Sequence, residues 1–92
     1  MLKPYLSNQF KRDYDLLRRR GFDLGRLDAA IVLLLNQSLL DPKYRDHPLK
    51  GKWKEYRGLH VADDWILVYK VDGMLLGLFL TRTGTHVDVY GQ

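Results

Sequence analysis

The run Trp65-Ile-Leu-Val-Tyr-Lys-Val71 constrains the fold more than any other part of the chain. It is almost wholly β-branched, aromatic or aliphatic, the composition of a strand with a covered face. Asp72-Gly73 follows as a hairpin signal, and Met74 to Thr83 supplies a second apolar run. Two adjacent strands of this kind need more strands beside them and an apolar layer against them to be stable in water.

The N-terminal half can supply that layer. Ser7 caps a predicted helix whose Phe10, Tyr14 and Leu17 form one apolar stripe. Arg18-Arg19-Arg20 places cations at its C-terminal end, and Gly21 stops it. Asp23 caps a second helix with Leu27, Ala30, Ile31, Leu34 and Leu35 on its buried face, fading over 36–38. The short turn between them predicts an antiparallel helical hairpin. Residues 2–5 form a short edge strand, where Pro4 is tolerated.

Leu39 to Gly51 has no periodicity and is broken by Pro42 and Pro48. Beyond it, strands are predicted at Lys52–Arg57, Leu59–Ala62, Trp65–Val71, Met74–Thr83 and His86–Tyr90, with turns at Asp63-Asp64, Asp72-Gly73 and Thr83-Gly84-Thr85. The expected architecture is α+β: a helical hairpin packed on a twisted, mainly antiparallel sheet of four to five strands, in a single domain over 1–92. Strict alternation along the strands sends Leu59, Val61, Val87 and Val89 to the helices and His60, His86 and Tyr90 to the open face. Arg82 falls on the side of Leu78 and Leu80 by the same count, and only twist at the strand end would free it.

Composition excludes several function classes. No apolar run approaches a membrane span, and nothing at the N-terminus reads as a signal peptide. There is no cysteine, so disulfides and thiolate metal sites are absent, which fits the cytoplasm. The net charge of +4 favours a polyanionic partner. No glycine-rich nucleotide loop and no nucleophile elbow is present. The histidines sit in separate elements, without the short spacings of zinc sites, so neither a metal nor another cofactor is expected.

The segment from His47 to Trp65 holds two histidines, two aspartates, four basic residues, two tryptophans and a tyrosine. Neither a core strand nor a solvated strand asks for that mixture; binding and cutting a nucleic acid does. Within and beyond it, His47-Pro48-Leu49, Gly51, Trp53-Lys54, Tyr56-Arg57, His60-Val61, Asp64-Trp65, Tyr69 and Arg82-Thr83-Gly84-Thr85-His86 resemble the YafQ branch of the RelE superfamily of bacterial toxins. The resemblance implies a ribosome-dependent mRNA endoribonuclease, and a cognate antitoxin that silences it and links it to DNA only indirectly. It also implies a catalytic and RNA-binding set of His47, His60, Asp64, Arg82 and His86, with an aromatic residue where Tyr90 stands. Some members carry an acidic residue at the position of Gly58, a glycine that carries no assigned role in this chain.

These residue types suit metal-free cleavage by the neighbouring 2′-hydroxyl. One imidazole takes the hydroxyl proton, another protonates the departing 5′ oxygen, and cations hold the added charge on phosphorus. The sequence puts His86 nearest the scissile phosphate, pairs His60 with Asp64, assigns Arg82 to transition-state charge and leaves His47 at the rim; it does not separate acid from base. Lys50, Lys52, Lys54 and Arg57 are either a solvated face or phosphate contacts. Trp53 and Tyr69 read as core, while Trp65, beside Asp64, is a candidate for the site. Two other readings share the scaffold: a non-catalytic inhibitor resembling the ParE group, and an RNA-binding module without chemistry. The three proton carriers favour the nuclease.

Overall fold

A computed structural model describes residues 1–91. In chain order the elements are β1 (Lys3–Leu6), α1 (Asn8–Arg19), α2 (Leu24–Leu35), β2 (His47–Pro48), β3 (Arg57–Ala62), β4 (Trp65–Asp72), β5 (Gly77–Gly84) and α3 (His86–Tyr90). The strands form one sheet in the order β1-β5-β4-β3-β2; β1 runs parallel to β5 and the other pairs are antiparallel.

Both long helices start where the sequence places them. Ser7 Oγ accepts from the Phe10 amide at 2.9 Å, and the Asp23 carboxylate accepts from the Gly25 amide at 3.2 Å. Caps of this kind contribute about 1 kcal/mol each. Phe10, Leu17, Leu27, Ala30 and Leu34 are buried against Leu59, Leu67, Leu78 and Leu80 of the sheet. That core occupies one face. A smaller cluster on the other face, Ile66, Val68 and Val89, is rimmed by Leu49, Trp53, Tyr56 and Tyr90.

Four local expectations are corrected. Lys52–Arg57 is not a strand: Gly51–Trp53 is a 3-10 turn, and β3 begins at Arg57. The stretch read as irregular contains β2 and a 3-10 turn at Pro42–Tyr44. The β4–β5 connection is Gly73 to Leu76 rather than a two-residue turn, because the Asp72 carboxylate accepts from the amides of Met74 (2.9 Å) and Leu75 (3.1 Å). Last, His86–Tyr90 is a helix. Thr85 and Asp88 form a capping box, the Asp88 amide donating to Thr85 Oγ1 and the Thr85 amide to Asp88 Oδ2. Val87 is therefore 62% exposed while Val89 is buried. His86 and Tyr90 still share a face, since a spacing of four returns to one side in either periodicity.

A bulge corrects the alternation. Val68 pairs with Arg82 but Tyr69 pairs with Leu80, so Thr81 is an extra residue in β5. Leu78 and Leu80 face the helices, whereas the backbone of Arg82 is in register with Val68 of the opposite face.

Candidate active site

The open face of the sheet ends in a cleft of about 440 Å³ lined by His47, Lys50, Lys52, Trp53, His60, His86 and Tyr90, floored by Gly58 and Ile66. Three imidazoles stand in a row in it. The ring centres of His47 and His60 are 6.2 Å apart, and those of His60 and His86 are 5.6 Å apart. Tyr90 extends the row at 6.0 Å from His86, and Trp53 lies 6.3 Å beyond Tyr90. The rings arrive from β2, β3 and α3, so only the folded sheet assembles them.

Each imidazole has its Nδ1 tied by a different partner, and the partner sets the tautomer. His47 Nδ1 lies 2.7 Å from the carbonyl oxygen of Arg45, which can only accept, so a neutral His47 carries its proton on Nδ1 and leaves the Nε2 lone pair free. His60 Nδ1 faces the Arg45 guanidinium at 3.2 Å, which can only donate, so a neutral His60 carries its proton on Nε2. Burial first, then the charge of Arg45, hold the His60 pKa below its ordinary 6.5. His86 Nδ1 donates to Asp64 Oδ1 at 2.6 Å, and the same oxygen accepts from the His86 amide at 3.1 Å. These hydrogen bonds hold the Asp64 carboxyl below its usual range.

Asp64 thus pairs with His86, not with His60 as expected from the sequence. The partner of His60 is Arg45, which the sequence did not single out. Arg45 sits in the left-handed region (φ 46°), a conformation that no pattern in the sequence signals for an arginine. Trp53, read as core, lines the cleft, and its indole N–H is buried without an acceptor among the described residues.

Arg82 does not line the cleft. Its Nε donates to Asp13 at 2.8 Å, and its Nη2 donates to Asp13 and to the Asp88 carbonyl, each at 3.2 Å. The cause is local: β1 ends opposite Leu80, so beyond that point β5 has no strand on the side away from β4. Asp13 of α1 fills the gap, accepting also from the Thr83 amide at 3.1 Å. Trp65 is corrected too. It is 4% exposed on the helix face, its Nε1 donating to Thr83 Oγ1 at 3.0 Å and its ring edge-on to Phe22. Arg57 points into a separate, larger groove, bound to Asp46 at 2.9 Å; Asp46 also accepts from the Tyr69 hydroxyl. Lys54 is exposed and outside the cleft walls, whereas Lys50 and Lys52 are part of them.

Comparison with known proteins shows the family and the fold. The family model for the bacterial toxin of type II toxin-antitoxin system, YafQ, matches residues 2–91. This chain belongs to the YafQ toxin family. The Escherichia coli K12 protein named mRNA interferase toxin YafQ is 44% identical over 86 residues, spanning 92% of this chain and 91% of its own. YafQ in the crystal structure of the E. coli DinJ–YafQ complex superposes with a TM-score of 0.90 at 40% identity, over 99% of this chain and 100% of that one. A metal-bound toxin from Helicobacter pylori superposes with a TM-score of 0.91 at 39% identity, over 97% of this chain and 99% of that one. The YafQ fold is thus shared throughout. Among the described residues of this member, no three His, Asp or Glu side chains converge closely enough to hold an ion, and no helix is long and apolar enough to cross a membrane.

Proposed function

We propose that this YafQ-family toxin is an mRNA interferase that cleaves message by acid–base catalysis on the row His47–His60–His86. The observation that carries the reading is that each Nδ1 is held by a different partner, which gives the rings different tasks. His47, with its free Nε2 lone pair, takes the proton of the 2′-hydroxyl. The 2′ oxygen then attacks phosphorus, and the bond to the 5′ oxygen of the next nucleotide breaks. His86, its Nδ1 held by Asp64, acts in its imidazolium form and delivers a proton from Nε2 to that leaving oxygen. His60, central in the row, donates from Nε2 to a non-bridging oxygen as charge builds there. The products are a 2′,3′-cyclic phosphate and a 5′-hydroxyl.

Lys50 and Lys52 on the cleft wall supply positive charge to the substrate, and Tyr90 offers a ring for a base to stack on. Lys54, at the exposed margin, adds a weaker phosphate contact. Arg82 works one layer back, clamping α1 to α3 and so fixing the helix that carries His86. The partners are a cognate antitoxin, the ribosome and its message, in the cytoplasm. Any contact with DNA is indirect, through the antitoxin.

The test is purified protein with translating ribosomes and a defined message, in the presence of chelator. Message fragments should end in cyclic phosphate, and His86→Ala should slow their appearance by about 10²–10⁴-fold. A folded His86→Ala protein that cuts at the parent rate overturns the assignment.

A further inference from the structure

The open face carries more than the catalytic cleft. Beyond Trp53 a second cleft of about 350 Å³ is lined by Tyr5, Ser7, Tyr56, Lys70, Phe79 and Thr81, together with Leu6 and Leu80. Rings and ammonium groups form one continuous series across it. Trp53 meets Tyr56 edge-on at 5.6 Å. Lys70 Nζ stands 5.5 Å from the Tyr56 ring centre and 5.7 Å from that of Phe79. Phe79 stacks on Tyr5 at 4.9 Å with only 12° between the planes, and Lys3 Nζ lies 5.8 Å from Tyr5. On the catalytic side the series continues through Trp53, with Lys52 over it, to Tyr90 and His86.

The backbone makes room for this arrangement. A Cβ at Gly77 would stand 2.9 Å from the Tyr5 ring and 3.1 Å from that of Phe79, so only glycine lets the two rings lie over β5 there. Tyr5 remains 38% exposed. Among the described residues, neither cleft has a carboxylate on its walls. Cations interleaved with exposed rings, free of acidic groups, are what an unpaired nucleic acid strand recognises: phosphates follow the lysines and bases stack on the rings.

We propose that the face running from Trp53 through Tyr56, Lys70 and Phe79 to Tyr5 and Lys3 binds the single-stranded message flanking the cleaved bond. It is continuous with the catalytic cleft and rests on the nuclease reading of that cleft. It extends the footprint well past the nucleotides at the histidines, and makes substrate length a determinant of affinity.

The experiment measures binding of two labelled single-stranded RNAs, a trinucleotide and a strand of about twelve nucleotides, to the full chain carrying His86→Gln so that neither is consumed. The longer strand should bind more tightly. Phe79→Ser should shrink that advantage about tenfold, the effect of losing one stacked base. Lys70→Gln, a surface change that leaves the core alone, should lower the slope of log affinity against log salt for the longer strand by about 0.7. A ring pair that merely covers the sheet would move neither the length ratio nor the salt slope. No length advantage in the starting protein, or a ratio and slope unchanged in both variants, overturns the proposal. If the unsubstituted protein leaves ribosome-bound message intact while the length advantage and its loss persist, the nuclease reading fails and the RNA track stands. If message is cut normally and the ratio does not move, the reverse holds.

Discussion

Asp64 grips His86 twice through one oxygen, at the ring Nδ1 (2.6 Å) and at the backbone amide (3.1 Å). The first contact orients the imidazole ring, and the second fixes where α3 begins. Asp64→Asn keeps the shape and removes the charge. Cleavage of ribosome-bound message should fall by about 10-fold or more at neutral pH while thermal stability barely changes, because Asp64 is largely exposed. Single-turnover cleavage beside a melting curve checks both halves.

His60 should titrate below its ordinary 6.5, burial being the larger cause and the Arg45 guanidinium the next. Between the lowered folded value and 6.5 the unfolded chain binds more protons, so this group makes stability fall as pH drops through that window and rise as pH climbs back. Arg45→Gln should move the His60 midpoint upward, read from its ring protons by NMR. A midpoint that stays put would mean that Arg45 does not act on the ring.

Asp13→Ala should be the most damaging single change outside the apolar core. The buried carboxylate accepts from Arg82, from the Thr83 amide and from Gln9, and its loss leaves Arg82 and Thr83 without their partner. A loss of about 2–4 kcal/mol is expected in denaturant unfolding. Cleavage by the protein that remains folded should also fall, since α3 loses its tether to α1 through Arg82.

Trp65→Phe separates a core role from an RNA role. A smaller aromatic ring stays, but the hydrogen bond to Thr83 and part of the packing are lost, so stability should drop by about 1–2 kcal/mol. RNA affinity of the folded protein should not change. Weakened RNA binding at unchanged stability would return Trp65 to the site.

Gly84→Ala tests the joint between β5 and α3. Gly84 has φ 154°, and a Cβ there would stand 2.9 Å from the Asp88 side chain, which closes the capping box. The substitution should shift α3, and with it His86, lowering cleavage more than its effect on melting temperature accounts for.

The helices were legible because their signals are local. Ser7 and Asp23 act within three residues of themselves, and Phe10, Leu17, Leu27 and Leu34 repeat at helical spacing. The strand Trp65–Val71 was legible from composition, though its turn was not, because Asp72 caps amides that alternation does not register. The last element was misread for a related reason. Five residues of alternating polarity fit a strand, and the Thr85–Asp88 capping box decides otherwise.

By itself the sequence determined the periodic faces, the caps, the basic and cysteine-free character, and the motif that marks the family. Those properties depend on neighbours along the chain. Tertiary structure alone decided that Asp64 holds His86, that Arg45 rather than Asp64 governs His60, that Arg82 is bound by Asp13, and that Trp65 turns inward while Trp53 lines the cleft. Each of these joins residues far apart in the chain. One of them, the capture of Arg82 by Asp13, rests on the way β5 ends: its bulge at Thr81 turns Arg82 off the leucine side, and its free edge admits Asp13. Such a slip in register comes from the competition among strands for partners, and no residue declares it alone.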